Sequence, residues 1–322
     1  MLKIEATITS YFSIILVASL ILGIVYQPLS SFISPYLFFI LMLVIYISFL
    51  TVNYHILLQE MFNWKAVVGL TVFTLILLPT AFFWLAKLLE DIFEWKVEWA
   101  LGILLLFASP APALAPTLAM LLSGHFERVL CTVVTTSILA PVTIPFLFYI
   151  YANTSIDLNY ANMTLSLIKL IIIPLIAAII TNRFIPKIKP HIENHCKCLS
   201  VILLCMVVTG AVDGITDFMA NHLSTTIEAI LISFGFMLLA FLTGWYLNFK
   251  KNTLKDRSTV AILATWSNLA LSIVLAKQFF ETHLFYVVLF VVLAEIPWCL
   301  SFIAAQLFLK RTSPHDIVEE TR

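Results

Sequence analysis

Ten runs of roughly twenty apolar residues follow one another along this chain, and a helix needs roughly that many to cross about 30 Å of hydrocarbon. They fall at about 11–30, 35–57, 66–89, 98–122, 127–152, 161–182, 197–216, 226–248, 258–278 and 283–309. Hydrophobic residues make up 61% of the chain and charged residues only 11%, too few to clothe a soluble domain. The prediction is therefore an all-α, multi-pass integral membrane protein with ten transmembrane helices. The first run counts as a span, because no small-residue cleavage site follows it.

Orientation follows from the basic residues, which collect in short cytoplasmic loops. With both termini cytoplasmic, only Lys87, Lys96 and Lys277 of the 18 basic residues fall outside, and Lys169 falls within a span. A plasma or inner membrane fits this layout. Acidic Glu90, Asp91, Glu94, Asp157, Asp213 and Asp217 gather on the outer side, where the last two are expected to face solvent. Net formal charge is zero, and no basic stripe for nucleic acid is present. Ten spans make two sets of five, and an odd number per set turns the second set over relative to the first. The first six spans occupy 1–182. Repeat one covers about 11–152 and repeat two 161–309, joined through the 183–196 loop with Pro186 and Pro190. Residues 310–322 form a cytoplasmic tail, and the whole is one transmembrane domain.

Spans four and nine hold matching positions in this inverted arrangement, and both are expected to break. In Ser109-Pro110-Ala111-Pro112-Ala113-Leu114-Ala115-Pro116 three prolines remove backbone donors and push the preceding residues out of the helical region. Pro116 suits the first turn of a new half-helix over 117–124, whose positive end would favour an anion. A simple proline kink is the plainer alternative. In Thr265-Trp266-Ser267-Asn268 the Ser and Asn side chains compete with the helix for backbone partners. Ordinary polar contacts between helices are the alternative there. Irregular backbone at membrane depth survives only where protein or a polar cavity surrounds it, so paired breaks point to a solute site between them.

The stretch FASPAPALAPTLAMLLSGHFERVLCTVVTTSILAPVTIPF from Phe107 resembles the bile acid:sodium symporter family, in the pattern of Ala119, Gly124, Thr132, Thr136, Leu139, Ala140 and Pro141. ATWSNLALSIVLAKQFF from Ala264 is similar to that family's ninth span through Asn268, Leu271, Ala276, Phe279 and Phe280. The resemblance implies alternating access with interrupted crossing helices, and an organic anion as solute. It also implies sodium held by a Ser-Asn pair, by hydroxyls of span five, and by a Glu and a Gln. Here Ala115 and Pro116 stand at the pair, Leu263 at the Glu and Ser267 at the Gln. A hard cation needs oxygens in place of its water shell, so sodium coupling is not expected to survive intact.

Two ionisable residues lie within spans, Lys169 and Glu295, at depths that would let them pair. The expected substrate-binding set is Ala113, Ala115, Pro116, Thr117, Thr132, Thr136, Thr265, Ser267 and Asn268. The ion-coupling candidates are Glu295, Lys169, Thr132, Thr136 and Asn268. Thr132 and Thr136 share a helix face, although their hydroxyls have the alternative of bonding back to the helix. No catalytic set, metal site or cofactor is expected, since Cys196-Lys197-Cys198 lacks partner ligands and no hydrolase, metalloprotease or phosphate-loop motif occurs. Asn153-Thr154-Ser155 and Asn162-Met163-Thr164 match glycosylation sequons. The chain reads as a secondary transporter or facilitator of a small organic solute, with sodium or a proton as possible coupling ion and the lipid bilayer as its surroundings. The alternatives are a sodium-coupled bile acid-type symporter with altered ion sites and a non-transporting sensor. Oligomeric state stays open.

Overall fold

A computed structural model of the protein describes residues 2–52, 64–152, 158–184, 189–247 and 253–312. The Asn153 sequon, the centre of the 183–196 join and residues 313–322 lie outside the described residues. Every regular element described is a helix. Among the described residues seven helices are long and apolar enough to cross a membrane, and three shorter apolar helices, Phe12–Val25, Val97–Ala108 and Cys198–Ala211, stand at the expected spans one, four and seven.

Proline placement shapes most of the irregularities. Helix α1 (Leu2–Val25) gives way to α2 (Gln27–Ile33), which has Pro28 in its first turn, and a 3-10 turn containing Pro35 leads into α3 (Leu37–Leu50). Between α4 (Trp64–Val72) and α5 (Leu78–Phe93) the chain makes a π turn at Phe73–Leu77. Pro79 denies the Leu75 carbonyl its partner four residues on, and such a loss is a recognised source of local rewinding. Helix α6 (Val97–Ala108) precedes the first break and the seven-residue α7 (Ala115–Leu121) follows it. Helix α8 (Phe126–Tyr151) carries Pro141 and Pro145, and α9 (Tyr160–Phe184) carries Pro174. Then come α10 (Lys189–Ala211), the short α11 (Thr216–Asn221), α12 (Leu223–Tyr246), α13 (Leu254–Thr265), α14 (Leu269–Phe280), α15 (Phe285–Leu293) and α16 (Glu295–Thr312).

The helices pack in two groups. In the first, α1 lies on α10, and α3 lies on both α9 and α10. The Thr209 hydroxyl of α10 donates to the Ser19 carbonyl of α1 at 3.0 Å and fixes that pair. In the second, α5 lies on α6, α12 on α13, α7 on α8, and α14 on α15, while α15 also meets α6 and α12. Fully buried Trp99 and Phe290 fasten α6 to α15 with ring centroids 5.3 Å apart. The groups touch where α8 meets α9, where α1 meets α16, and where α14 lies against α3 and α10.

Candidate functional site

Both breaks are present, and they meet. Helix α6 ends at Ala108, and Ser109, held extended before Pro110 (ψ 140°), turns the chain out of the helix. Its hydroxyl donates back to the Leu105 carbonyl at 2.9 Å, satisfying one of the acceptors the break leaves open. Helix α7 starts at Ala115, two residues earlier than expected, with Pro116 in its first turn, and ends at Leu121 rather than Gly124. Ser123 takes a left-handed conformation (φ 53°), and the Gly124 N–H closes the turn onto the Ala119 carbonyl.

The second break has a different cause. After α13 the chain is extended at Trp266 (ψ 108°), and Asn268 caps α14 by accepting the Leu271 N–H on Oδ1 at 3.1 Å. The Asn268 N–H donates to the Pro110 carbonyl at 2.7 Å, so unwound backbone from one break satisfies unwound backbone from the other. An unpaired group there would cost several kcal/mol in hydrocarbon. Buried Ser272 donates to the Ser109 hydroxyl at 2.8 Å and strengthens the crossing. Buried Trp266 points elsewhere, and its indole N–H donates to Ser301 of α16 at 3.1 Å. No sequence pattern announced that last contact.

The predicted site residues divide by environment. Ala115, Pro116, Thr265 and Ser267 are buried, Asn268 is half-buried, and Ala113 and Thr117 are exposed. The side-chain amide N–H groups of Asn268 and the hydroxyls of Ser267 and Thr117 make no hydrogen bond among the described residues, which leaves several donors on the two touching breaks. Thr132 and Thr136 are fully buried, and each donates to the carbonyl four residues earlier at 2.8 Å, the local pattern weighed above. Thr265 does the same to Ala261 at 2.7 Å. Their lone pairs remain, but the hydroxyl protons are spent. Leu263, at the expected carboxylate position, is a buried core side chain.

Glu295 and Lys169 do not form an ion pair. Glu295 is buried at 3% exposure with the Cys299 thiol as donor at 3.6 Å, while Lys169 is exposed on α9. Equal depth is not enough for two spans to pair residues, because rotation about each helix axis decides which way a side chain faces.

The two ends of the crossing differ. At one end α14 lies against α3 and α10; at the other, α7 has its main contacts with α8 and α13, and Ala113, Thr117 and Met120 are exposed. The α14 end is tied across the two groups. Lys277, 8% exposed, donates to the Asp213 carbonyl at 2.6 Å and pairs with Glu281. Asp213 accepts the Ser31 hydroxyl at 2.6 Å, and Asp217 accepts the Gln27 amide at 3.2 Å. The two aspartates therefore join α2 to the loop after α10 and to α11, and do more than face solvent. At the α7 end, Asp256 takes Arg128 at 3.0 Å beside His125, and the His125 N–H donates to Thr259 at 2.9 Å. These bonds fasten the start of α8, just beyond α7, to the start of α13 within one group.

A crevice of about 470 Å³ lies elsewhere, between α1, α2 and α10, lined by Ile15, Leu22, Phe32, Val201 and Met206 among others. Its lining is almost wholly apolar, and its two hydroxyls, Ser19 and Thr209, spend their protons on the Leu16 and Ser19 carbonyls, so the crossing remains the better candidate. Among the described residues no group of three or more His, Cys, Asp or Glu side chains is placed to hold a metal.

The profile of the sodium bile acid symporter family matches residues 38–221 of this chain. A curated relative, the uncharacterized sodium-dependent transporter YocS of Bacillus subtilis (strain 168), is 22% identical over 206 residues, or 63% of this chain. The match spans 62% of that relative's length, less than two thirds of it. A multi-pass membrane protein is the reading common to these matches and to the apolar helices.

Proposed function

Because this chain belongs to the sodium bile acid symporter family, we propose that it is a secondary carrier that moves a small organic anion across a membrane by alternating access. The bond between Asn268 and Pro110 carries the proposal, since it brings two unwound segments together amid unused donors. An anion entering from the α7 end would meet Thr117, Ser267 and Asn268, with the backbone dipoles of the half-helices oriented to favour negative charge.

The packing supports ten spans in two inverted repeats. Advancing each span by five turns the contact of spans three and four (α5 on α6) into that of spans eight and nine (α12 on α13). The same step turns one and seven (α1 on α10) into six and two (α9 on α3), and five with the second half of four (α8 on α7) into ten with the second half of nine (α15 on α14). The asymmetry between the α7 and α14 ends then reads as one transport state, open towards α7 and sealed beyond Lys277. With both termini cytoplasmic, the open side faces inward.

Counterflow in proteoliposomes tests the carrier. Labelled taurocholate, a bile-acid anion, should exchange against unlabelled taurocholate well above protein-free liposomes; binding without exchange would favour the sensor reading. Asn268→Ala should reduce exchange by about tenfold, the worth of one charge-assisted hydrogen bond. Its loss as a helix cap should cost only about 1 kcal/mol in thermal unfolding.

A second reading, coupling to sodium, is favoured by the family and by the description of its Bacillus relative. Ala115, Pro116 and Leu263 weigh against it, because none supplies a side-chain oxygen where the resemblance expects one. Millimolar sodium should therefore leave the unfolding temperature where the same concentration of potassium leaves it. A sodium-specific rise would reinstate the second reading through binding-linked stability.

A further inference from the structure

We infer that Glu295 is a proton-binding site that couples a transmembrane proton gradient to the solute site. The inference rests on the carrier reading and adds its driving ion. Glu295 stands where the tenth span is interrupted, between α15, which packs on α6 and α14, and α16, which crosses to α1. Pro297 has no N–H to offer the Leu293 carbonyl, and the chain makes a turn at Ala294. This carboxylate therefore sits at the joint by which the helix passes from one packing group to the other.

Among the described residues its surroundings hold no counter-charge. The Cys299 thiol is its hydrogen-bond donor, and Cys205 of α10, which lines a crevice together with Ser19 of α1, lies within electrostatic reach. Residues 12–25 of α1 contain no ionisable group. The only ionisable residue of α15 is Tyr286, whose ring lies beneath Lys96. In α12 the ionisable residues are Glu228, engaged by the Trp99 indole at 3.1 Å, and exposed Tyr246. An isolated carboxylate at membrane depth must be neutralised or hydrated. Sulfur atoms and a serine already bonded to the Leu16 carbonyl are poor ligands for a hard metal cation. A proton needs no shell of oxygens, so the donor set selects it.

A path to the solute site is built in. Six residues beyond Glu295, Ser301 accepts the indole N–H of Trp266, which belongs to the second break. A shift of α16 against α1, as the two groups rock, thus pulls on the unwound segment and changes the access of water to Glu295 together. Protonated and deprotonated forms would favour different positions of α16, and a proton would cross with each anion.

The test uses the full chain in sodium-free proteoliposomes with labelled taurocholate. An inward proton gradient should drive accumulation in the wild type. Glu295→Gln should abolish that accumulation to the level of protein-free liposomes while keeping counterflow, which needs no net proton movement. Accumulation by Glu295→Gln equal to wild type, or wild-type counterflow with no gradient-driven accumulation, would overturn the inference. Absence of wild-type counterflow would instead remove the carrier reading, and the proton site would then be decided separately by infrared spectroscopy. There the wild type should show a protonated-carboxyl band that titrates with pH and is missing in Glu295→Gln; no such band means no site. If Glu295→Gln does not reach the membrane, Glu295→Asp should displace the band, and an unmoved band refutes the assignment.

Discussion

Gly244→Ala lowers stability by about 1–3 kcal/mol or more, the range for overpacking a close contact. A methyl group there would stand 2.6 Å from the Ala261 Cα and 2.8 Å from both the Ala261 N and the Val260 carbonyl oxygen. All three are backbone atoms of α13, so no side chain can swing aside. Helix α12 and α13 touch closely only because position 244 has no Cβ, the way small residues let membrane helices approach. Pushing α13 away also displaces Trp266 and the crossing, so exchange should fall along with the unfolding temperature. Gly235 on the same helix is the control. Its added methyl meets nothing within 4 Å, and Gly235→Ala should be neutral or stabilising by up to about 1 kcal/mol through helix propensity. Thermal unfolding in detergent should fall for Gly244→Ala and hold or rise for Gly235→Ala; equal shifts would refute the packing argument.

Lys277→Met should open the end that Lys277 now ties. The ammonium bond to the Asp213 carbonyl spans the two packing groups and is nearly buried, while Glu281 is half exposed and screened, so little is assigned to that ion pair. A hydrogen bond to a charged group contributes about 1.5–3 kcal/mol. Its loss would change the ratio of open to sealed states at that end by roughly 10- to 150-fold. Methionine keeps the apolar stem and leaves α14 packed. Hydrogen–deuterium exchange over residues 209–217 reads the result directly, because amides in a released segment exchange faster. Unchanged protection in Lys277→Met would mean that the bond does not hold the seal.

The seam was hidden for a simple reason. Counted as an outer-side lysine, Lys277 belongs to the charge pattern that orients the chain, and Asp213 and Asp217 to the matching acidic set. Sequence distance of some sixty residues gave no sign that the last turn of α14 reaches the loop after α10. Thr132 and Thr136 show the reverse. Their four-residue spacing put both on one face, and the local alternative, a bond back to the helix, was equally readable. Which of the predicted residues are exposed, Thr117 and Ala113 but not Thr265, depends on packing that spacing alone does not fix.

Composition and apolar run length decided that this chain is helical and multi-pass, because hydrocarbon admits few other ways of pairing backbone groups. Three prolines decided the first break as well, since a missing N–H and a steric clash act within a few residues and need no partner. The second break was decided by the fold. Trp266 and Ser267 are compatible with a helix, and they leave it where the Asn268 N–H finds the Pro110 carbonyl and the Trp266 indole finds Ser301. Tertiary structure likewise separated Lys169 from Glu295, because a sequence gives depth along each helix but not the rotation that turns one side chain outward and buries the other.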